Sequence, residues 1–351
     1  MTRIPAEMTR LISTFFTCIL FPFPASGNAA QPGMWNTGTG HEFIPLIAED
    51  SMVVGKIRMV KEEISILLFP GFAVVRGEYE MQNLTDSGIF MTVGYPVNGE
   101  ISQDEIQYLM FDDLYAIRIY VNDSMISAGM QTLDDTLLQN SRNHIWGTSE
   151  WYTWKMNFRS GQNSRIRVYF IVNTNNSLIR DGYFKTNSNG FSYILESGKA
   201  WAGTIGSGEI RISLRGGLKA NDIQGILPAG SFSWDKGSRM TRTFTDLEPE
   251  MQSNVVIRYA KRMDDFDFDA ILKKQNEYFA SADSLFLIPW KPEEFEVFTA
   301  ADFRVPGIVE TVGDWAKNLV LNVTIGAIVL ALIIYLALRY RNRRPIPHCP
   351  P

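Results

Sequence analysis

The chain has almost no cysteine, and this absence already limits how it can be stabilised. Its 351 residues include two cysteines, Cys18 and Cys349, which lie near opposite ends of the sequence. The long region between them therefore has no internal disulfide, even in an oxidising compartment. Its stability has to come from hydrophobic cores, and a region of this length can supply cores for two domains of ordinary size.

Metal-ligating and catalytic patterns are also scarce. His41 and His144 are the histidines distant from the C-terminus, and neither stands at a spacing typical of zinc ligands or of a Ser-His-Asp triad. Asp265, Asp267 and Asp269 alternate like the opening of a calcium loop. The turn glycine and the closing glutamate of such a loop are missing, so the pattern favours helix capping. The sequence predicts no metal ion and no catalytic residue.

Phosphate-binding glycine loops are missing as well. Gly203, Gly206 and Gly208 form a small cluster, but a strand-like segment follows at 209–214 where a phosphate cradle needs the start of a helix. We interpret the cluster as a turn and expect no cofactor. The distance between two carboxylates of a glycosidase-like pair cannot be read from a single sequence. A hydrolase therefore remains the alternative to a binding protein.

One long apolar run lies near the C-terminus. From Leu319 to Leu338 the sequence LVLNVTIGAIVLALIIYLAL has no charged residue, and as a helix it would span roughly 30 Å, the thickness of a bilayer core. Four arginines follow directly and predict a cytoplasmic end: Arg339, Arg341, Arg343 and Arg344. The sequence thus predicts a membrane anchor at 318–338 and a cytoplasmic tail at 339–351.

A shorter apolar run lies at the N-terminus. Arg3 and Arg10 precede the apolar stretch 11–23, and small residues follow at 25–30. This order is typical of a secretory signal peptide, which we expect to be residues 1–29, with Met8 as an alternative start. The stretch is too short to span a bilayer, so cleavage is favoured over an uncleaved anchor.

Positive charge is concentrated at the two ends. The formal net charge is −5. The signal segment contributes +1 and the tail arginines +4, so the exported part has a net charge of −10. An acidic region of this kind does not recruit nucleic acid by long-range electrostatics. We therefore expect a periplasmic or extracellular bulk, one membrane span and no nucleic-acid partner. The lack of exported cysteine favours a bacterial envelope.

The exported region is mostly strand-like. Residues 73–82 alternate between apolar and polar side chains, and Pro70-Gly71 joins them to the apolar run 64–69. Similar short runs recur, with Asn122-Asp123 as a tight turn. This spacing predicts a β-sandwich-like ectodomain with a first β block at 30–145 and a second at 146–262. The blocks are either two sandwiches or two halves of one β assembly.

The pattern changes after residue 262. Residues 270–282 have a helical pattern with carboxylates near its N-terminus, and Pro292 begins a further possible helix through residue 303. Prolines break the remainder into short pieces. We expect residues 263–317 to form a helical juxtamembrane stalk or a packing arm.

An aromatic group offers one candidate ligand surface. Trp146, Trp151 and Trp154, together with Tyr152, follow one another at the start of the second block. Such a group can stack against a sugar or peptide, but on an alternating strand many of its members build the core. The core interpretation is favoured.

Four segments resemble parts of secreted or envelope bacterial domains of unknown function. They are residues 56–64, residues 154–169, residues 193–206 with the pattern Trp-x-Gly-x-Ile-Gly at 201–206, and Leu247-Glu248-Pro249. The resemblance covers about residues 49–260 and implies an all-β exported domain without bringing a catalytic residue. We therefore predict a membrane-anchored binding or structural module of the bacterial envelope, with an envelope protein or glycan as partner. The alternative is an envelope glycan or cell-wall hydrolase.

Overall fold

The computed structural model describes residues 33–36, 42–45, 53–96, 99–103, 106–111, 114–132, 145–146, 150–181, 184–291 and 294–298, with positions 323, 324 and 335. This part of the chain is mainly β, with two short α-helices, α1 (Phe268–Leu272) and α2 (Gln275–Leu287). Its strands are β1 (Gly33–Asn36), β2 (Glu42–Pro45), β3 (Ile57–Phe69), β4 (Phe72–Asn83), β5 (Ile89–Pro96), β6 (Gly99–Gln103), β7 (Ile106–Phe111), β8 (Leu114–Val121), β9 (Ser124–Ile126), β10 (Gly129–Thr132), β11 (Ile145–Trp146), β12 (Glu150–Phe158), β13 (Asn163–Asn173), β14 (Leu178–Asp181), β15 (Phe184–Lys185), β16 (Ser188–Tyr193), β17 (Ile205–Leu214), β18 (Ile223–Leu227), β19 (Ser233–Trp234), β20 (Arg239–Leu247), β21 (Val255–Lys261) and β22 (Glu296–Val297).

A nine-stranded sheet organises the described residues, in the order β22-β19-β20-β17-β3-β4-β13-β8-β9. Its long central hairpin forms because Pro70-Gly71 lies between two apolar runs, and Gly71 adopts the positive φ of 84° that the turn requires. Strand β13 pairs with β4, and β17 pairs in parallel with β3. Strands of both predicted β blocks therefore lie in one sheet, as in the single-assembly alternative.

The core lies on the inner face of this sheet. Alternate residues of β3 and β4, among them Ile64, Ile66 and Val75, point inward and are buried. Strands β5 and β12 contribute to the same cluster, as do strands β16 and β21 from a separate three-stranded sheet. The inner face is thus covered by further sheet, and the alternation in the sequence arises from this burial.

The outer face of the nine-stranded sheet carries the helices. Phe279, Ala282 and Leu285 of α2 pack against Val74 and Ile171, among others, in a second apolar cluster. The predicted helix 270–282 is therefore two helices separated at Lys273 and Lys274, and it lies on the sheet as a packing arm. The helix predicted from Pro292 to residue 303 was wrong at Glu296–Val297, because these residues pair with β19 as strand β22.

The glycine cluster also differs from the expectation. Gly203 lies in a turn with φ of 63°, but Gly206 and Gly208 lie inside β17. A Cβ on Gly206 would lie 2.6 Å from the carbonyl oxygen of Val60, and one on Gly208 would lie 2.1 Å from the ring of Phe244. Close packing across the sheet accounts for these two glycines.

Among the described residues, no helix combines the length and the apolar character needed to cross a bilayer. The predicted span 318–338 lies outside the described residues except for the helical positions Val323, Thr324 and Tyr335. Leu319, Leu338 and the four tail arginines lie outside them as well, as do the signal segment, His41 and His144.

Candidate functional site

Charged side chains line the outer face of the sheet at and beside helix α2. On β4 the outward positions are Arg76, Glu78 and Glu80, which alternate with inward core residues. The antiparallel register of β13 places Arg165 opposite Glu80 and Arg167 opposite Glu78. Opposite charges thus face each other across the two strands, which favours this register.

These charges form a continuous ion-pair network. Glu78 Oε2 accepts hydrogen bonds from Arg76 Nη2 at 2.6 Å and from Arg167 Nε at 2.7 Å. Arg167 Nη2 also donates to Asp123 Oδ1 at 2.8 Å, and Arg165 donates to the other oxygen of Asp123. Charge-assisted bonds of this kind hold long side chains in fixed positions. The network therefore gives the outer face a defined arrangement of charge.

Asp123 is placed by a tight turn between β8 and β9. Asn122 and Asp123 have φ of 47° and 68°, the pair of positive values found in type I′ hairpin turns. The turn directs Asn122 Oδ1 to the backbone N–H of Arg165, which donates to it at 2.9 Å. The predicted Asn-Asp turn is therefore confirmed, and it forms one wall of the site.

A groove of about 460 Å³ lies along this network, and we call it the charged groove. Its lining comprises Lys61, Glu63, Glu78, Glu80, Asn122, Asp123, Asn163, Ser164 and Arg165. Within it Lys61 Nζ lies 2.7 Å from Glu63 Oε1, and Asn163 Nδ2 donates to Glu80 Oε1 at 2.5 Å. The groove offers carboxylates, cations and amides at once, which suits a polar ligand with several hydrogen-bonding groups.

Electrostatics favour the ionised forms of two members of this network, Asp123 and Arg167. Desolvation acts to raise the pKa of Asp123, but the charges and hydrogen bonds of Arg165 and Arg167 outweigh it and hold this pKa below its usual value. Burial acts to lower the pKa of Arg167, but its hydrogen bonds to Glu78 and Tyr169 and the charges of these two groups together outweigh burial and raise this pKa. Asp123 is therefore an anion at neutral pH and does not carry the proton that a general acid needs.

A second polar cluster lies in the core. The hydroxyls of Tyr79 and Tyr193 lie 2.7 Å apart, and Tyr193 donates to Glu62 Oε1 at 3.1 Å. Burial, followed by the charges of neighbouring groups, raises the pKa of Tyr95 and of Tyr193 well above the usual value. Because Glu62 is 0% exposed, this cluster is part of the core and not a surface for ligands.

The tryptophans named as candidate stacking residues have different positions. Trp151 is 4% exposed and Trp154 is 5% exposed, and Trp154 belongs to the main core cluster. Burial leaves little of either ring for a ligand. Trp146 pairs with Trp35 through the backbones of β11 and β1, and its side chain lies outside the described residues.

The acidic run has a local structural role. Asp267 is the N-cap of α1, and its Oδ1 accepts a hydrogen bond from the backbone N–H of Ala270 at 3.0 Å. This is the capping arrangement that the sequence favoured. Among the described residues, no group of three or more His, Cys, Asp or Glu side chains could hold a metal ion.

Sequence reasoning missed the charged groove. Its signal was present, because Arg76, Glu78 and Glu80 alternate with core residues on β4, and Arg165 and Arg167 do the same on β13. The sequence does not reveal that β4 and β13 are neighbours. Strand β4 ends at Asn83 and β13 begins at Asn163, and 79 residues lie between these two. Alternation alone predicts solvent-facing charge, which is common on half-buried strands.

No protein-family model matches the chain, and no curated protein sequence matches it. Among solved structures it is similar to a proposed nutrient-binding protein of Legionella pneumophila, with a TM-score of 0.43 and 13% identity over 68% of this chain and 71% of that one. It is also similar to an M1 zinc metallopeptidase of Deinococcus radiodurans, with a TM-score of 0.31, 11% identity and coverage of 58% of this chain and 42% of the peptidase. The chain thus spans less than half of the peptidase. At these TM-scores, function has to be argued from the chain's own residues.

Proposed function

We propose that the chain is an exported, membrane-anchored binding module of the bacterial cell envelope. A β-sandwich-like ectodomain would present the binding surface, and one C-terminal helix would fix it to the membrane, with the arginine-rich tail in the cytoplasm. The observation that carries this proposal is the charged groove, about 460 Å³ in volume, on the uncovered part of the outer face. A structural role in the envelope, through an envelope protein or glycan, would use the same face.

Binding is favoured over hydrolysis by the way the groove's carboxylates are used. Glu78 is held by Arg76 and Arg167, and Asp123 is held by Arg165 and Arg167. A glycosidase needs one carboxyl group that holds a proton near neutral pH and a second that is free to attack or to activate water. Asp123 is a poor candidate for the first role, since the charges and hydrogen bonds of Arg165 and Arg167 hold its pKa below the usual value.

Site-specific crosslinking in intact cells tests the proposal. A photoreactive residue would replace Lys61 in the charged groove of the full chain, and a matched variant would carry it at Lys219, an exposed lysine outside the groove. We expect a crosslinked envelope component from position 61 that is missing from position 219. The same products at both positions, or none at position 61, would contradict a binding role for the groove.

The hydrolase alternative has a separate test. The purified full chain, incubated with isolated cell wall, would release soluble saccharide if the groove were catalytic. Replacing Glu63 by Gln, which removes a carboxylate from the lining, would then lower the release by about 100-fold or more, the usual contribution of a general acid or base. We expect no release from either protein.

A further inference from the structure

A second pocket, of about 340 Å³, adjoins the charged groove and differs from it in charge. The two share Asn122, Asn163 and Ser164 as a common wall. We call the second one the amide pocket, because Asn122, Asn157, Gln162 and Asn163 line it. We infer that the amide pocket binds an acidic saccharide, a sugar unit that carries a carboxylate. This inference rests on the proposed binding function and names its ligand class.

The charge of the amide pocket points to an anionic ligand. Lys155 and Arg159 are its charged lining residues, and no carboxylate is among the described residues that line it. The neighbouring groove, by contrast, is lined by Glu63, Glu78 and Asp123. In a chain whose formal net charge is −5, a pocket with two cations and no carboxylate among its described lining residues is a distinct site. Arginine in particular can bind a carboxylate through two parallel hydrogen bonds.

Several hydrogen-bonding groups of the amide pocket are available to a ligand. Asn157, Arg159 and Gln162 are exposed, and among the described residues no side chain or backbone group pairs with their polar side-chain atoms. Asn122 uses its Oδ1 to accept the N–H of Arg165, which leaves its amide N–H groups for a ligand. The side-chain amides of Asn157 and Gln162 each offer donors and an acceptor, which matches the hydroxyl groups of a sugar.

An exposed aromatic ring adjoins these amides. Phe90 is 65% exposed and lies directly across from Asn157 in the pairing of β5 with β12. Lys155 Nζ lies 5.9 Å from the centre of this ring and donates to Thr92 Oγ1 at 2.6 Å, so the cation is held beside the ring. A rigid apolar ring beside hydrogen-bonding amides suits the apolar face of a sugar ring, with the carboxylate directed to Lys155 or Arg159. An acidic peptide would use the cations but not this combination of ring and amides.

Binding measurements on the full chain in lipid nanodiscs test this inference. The probes are a hexuronic acid tetrasaccharide, the same tetrasaccharide with its carboxyl groups reduced to alcohols, and a hexaglutamate peptide. We expect the acidic tetrasaccharide to bind at least about tenfold more tightly than the reduced one, with an affinity that falls as salt increases, because the cations are exposed. Equal affinity for both saccharides, or tighter binding of the peptide, would overturn the inference.

Two variants and a matched control locate the site. Arg159→Gln should weaken binding of the acidic tetrasaccharide about tenfold, and Phe90→Ser should weaken both saccharides by similar factors, since the ring contacts the sugar and not its charge. Arg215→Gln, at an exposed arginine outside both sites, should leave binding unchanged. Unchanged binding of the acidic tetrasaccharide in Arg159→Gln would overturn the inference. Crosslinking from position 61 could still capture an envelope component in that case, so the two proposals can fail separately.

Discussion

At the scale of single residues, the core depends on close contacts that cannot be predicted from the sequence. Gly77 faces inward on β4, beneath the side chain of Tyr79, and a Cβ there would lie 2.3 Å from the Tyr79 hydroxyl. That hydroxyl bonds to Tyr193, which in turn donates to the fully buried Glu62. A buried carboxyl group is expensive unless it is hydrogen-bonded, so the position of Tyr79 is constrained from both sides.

Replacing Gly77 by Ala should therefore destabilise the protein. The added methyl group displaces a hydroxyl that is already part of a buried network, and overpacking of this kind costs about 1–3 kcal/mol in unfolding free energy. Gly129→Ala is the matched control, because nothing lies within 4 Å of a Cβ at that position and a change within about 0.5 kcal/mol is expected. Denaturant unfolding measures both. Equal stability of the two variants would show that the Tyr79 hydroxyl moves freely.

The buried tyrosines also predict how stability depends on pH. Burial raises the pKa of Tyr95, Tyr193 and Tyr259 in the folded state, so the folded protein holds these protons above the pH at which the unfolded chain releases them. These tyrosines leave the stability unchanged below a pH of about 10, the usual pKa of tyrosine, and the stability falls as the pH rises above it. Ultraviolet absorbance of tyrosinate and circular dichroism should therefore change together for these groups. Full tyrosine ionisation at a normal pKa with the fold intact would contradict this prediction.

At the scale of elements, local patterns predicted strands well and long-range pairings poorly. The Pro70-Gly71 turn and the alternation from residue 73 to residue 82 are both present as predicted. Strand β3 is longer than its apolar run, because its polar first half, which begins at Ile57, still pairs with β4 past an irregularity between Met59 and Lys61. The parallel pairing of β17 with β3 joins segments far apart in sequence, and no local signal encodes it.

The charged groove and the amide pocket were predictable only in part, because strand pairing decides which side chains face outward. Aromatic residues are the usual sequence signal for a stacking surface, but Trp151 and Trp154 are buried, and the ring exposed beside the amide pocket is that of Phe90. Whether an aromatic residue on a strand faces the core depends on the register with its neighbours, which a single sequence does not give. Charge alternation predicted an outward face, and only the fold shows which charges meet there.

The Asp283 carboxylate of helix α2 holds the helix on the sheet. Asp283 accepts hydrogen bonds from Arg76 Nε at 2.9 Å and from the Tyr169 hydroxyl at 2.6 Å. Because the Asp283 side chain is 45% exposed, we expect Asp283→Asn to weaken the docking of α2 by only about 1 kcal/mol. Amide hydrogen exchange across residues 275–287 should then be roughly fivefold faster.

Glu277→Gln is the control for the Asp283→Asn variant. Glu277 lies on the same helix, is exposed and forms no ion pair with another described residue, so its exchange rates should match those of the parent chain. The same increase in both variants would indicate a general effect of charge on the helix and would exclude a specific role of Asp283.

At the scale of the whole molecule, the described residues of the predicted packing arm belong to the β domain. Helix α2 packs on the outer face, and β22 then adds the last strand at one edge of the nine-stranded sheet. The described part of this arm ends at Phe298, and about twenty residues lie between it and the apolar run that begins at Leu319. If that run spans the membrane as proposed, the charged groove and the amide pocket would lie on a domain joined to the span by this segment.

Sidedness of labelling is the most direct test of an exported β domain on one membrane span. Cys349 is the only cysteine expected in the mature chain, and Ser160→Cys adds one at an exposed position of the β12–β13 hairpin. A membrane-impermeant maleimide applied to spheroplasts should label position 160 in intact cells and Cys349 only after permeabilisation. Labelling of Cys349 in intact spheroplasts, or protection of position 160 until lysis, would contradict the proposed orientation.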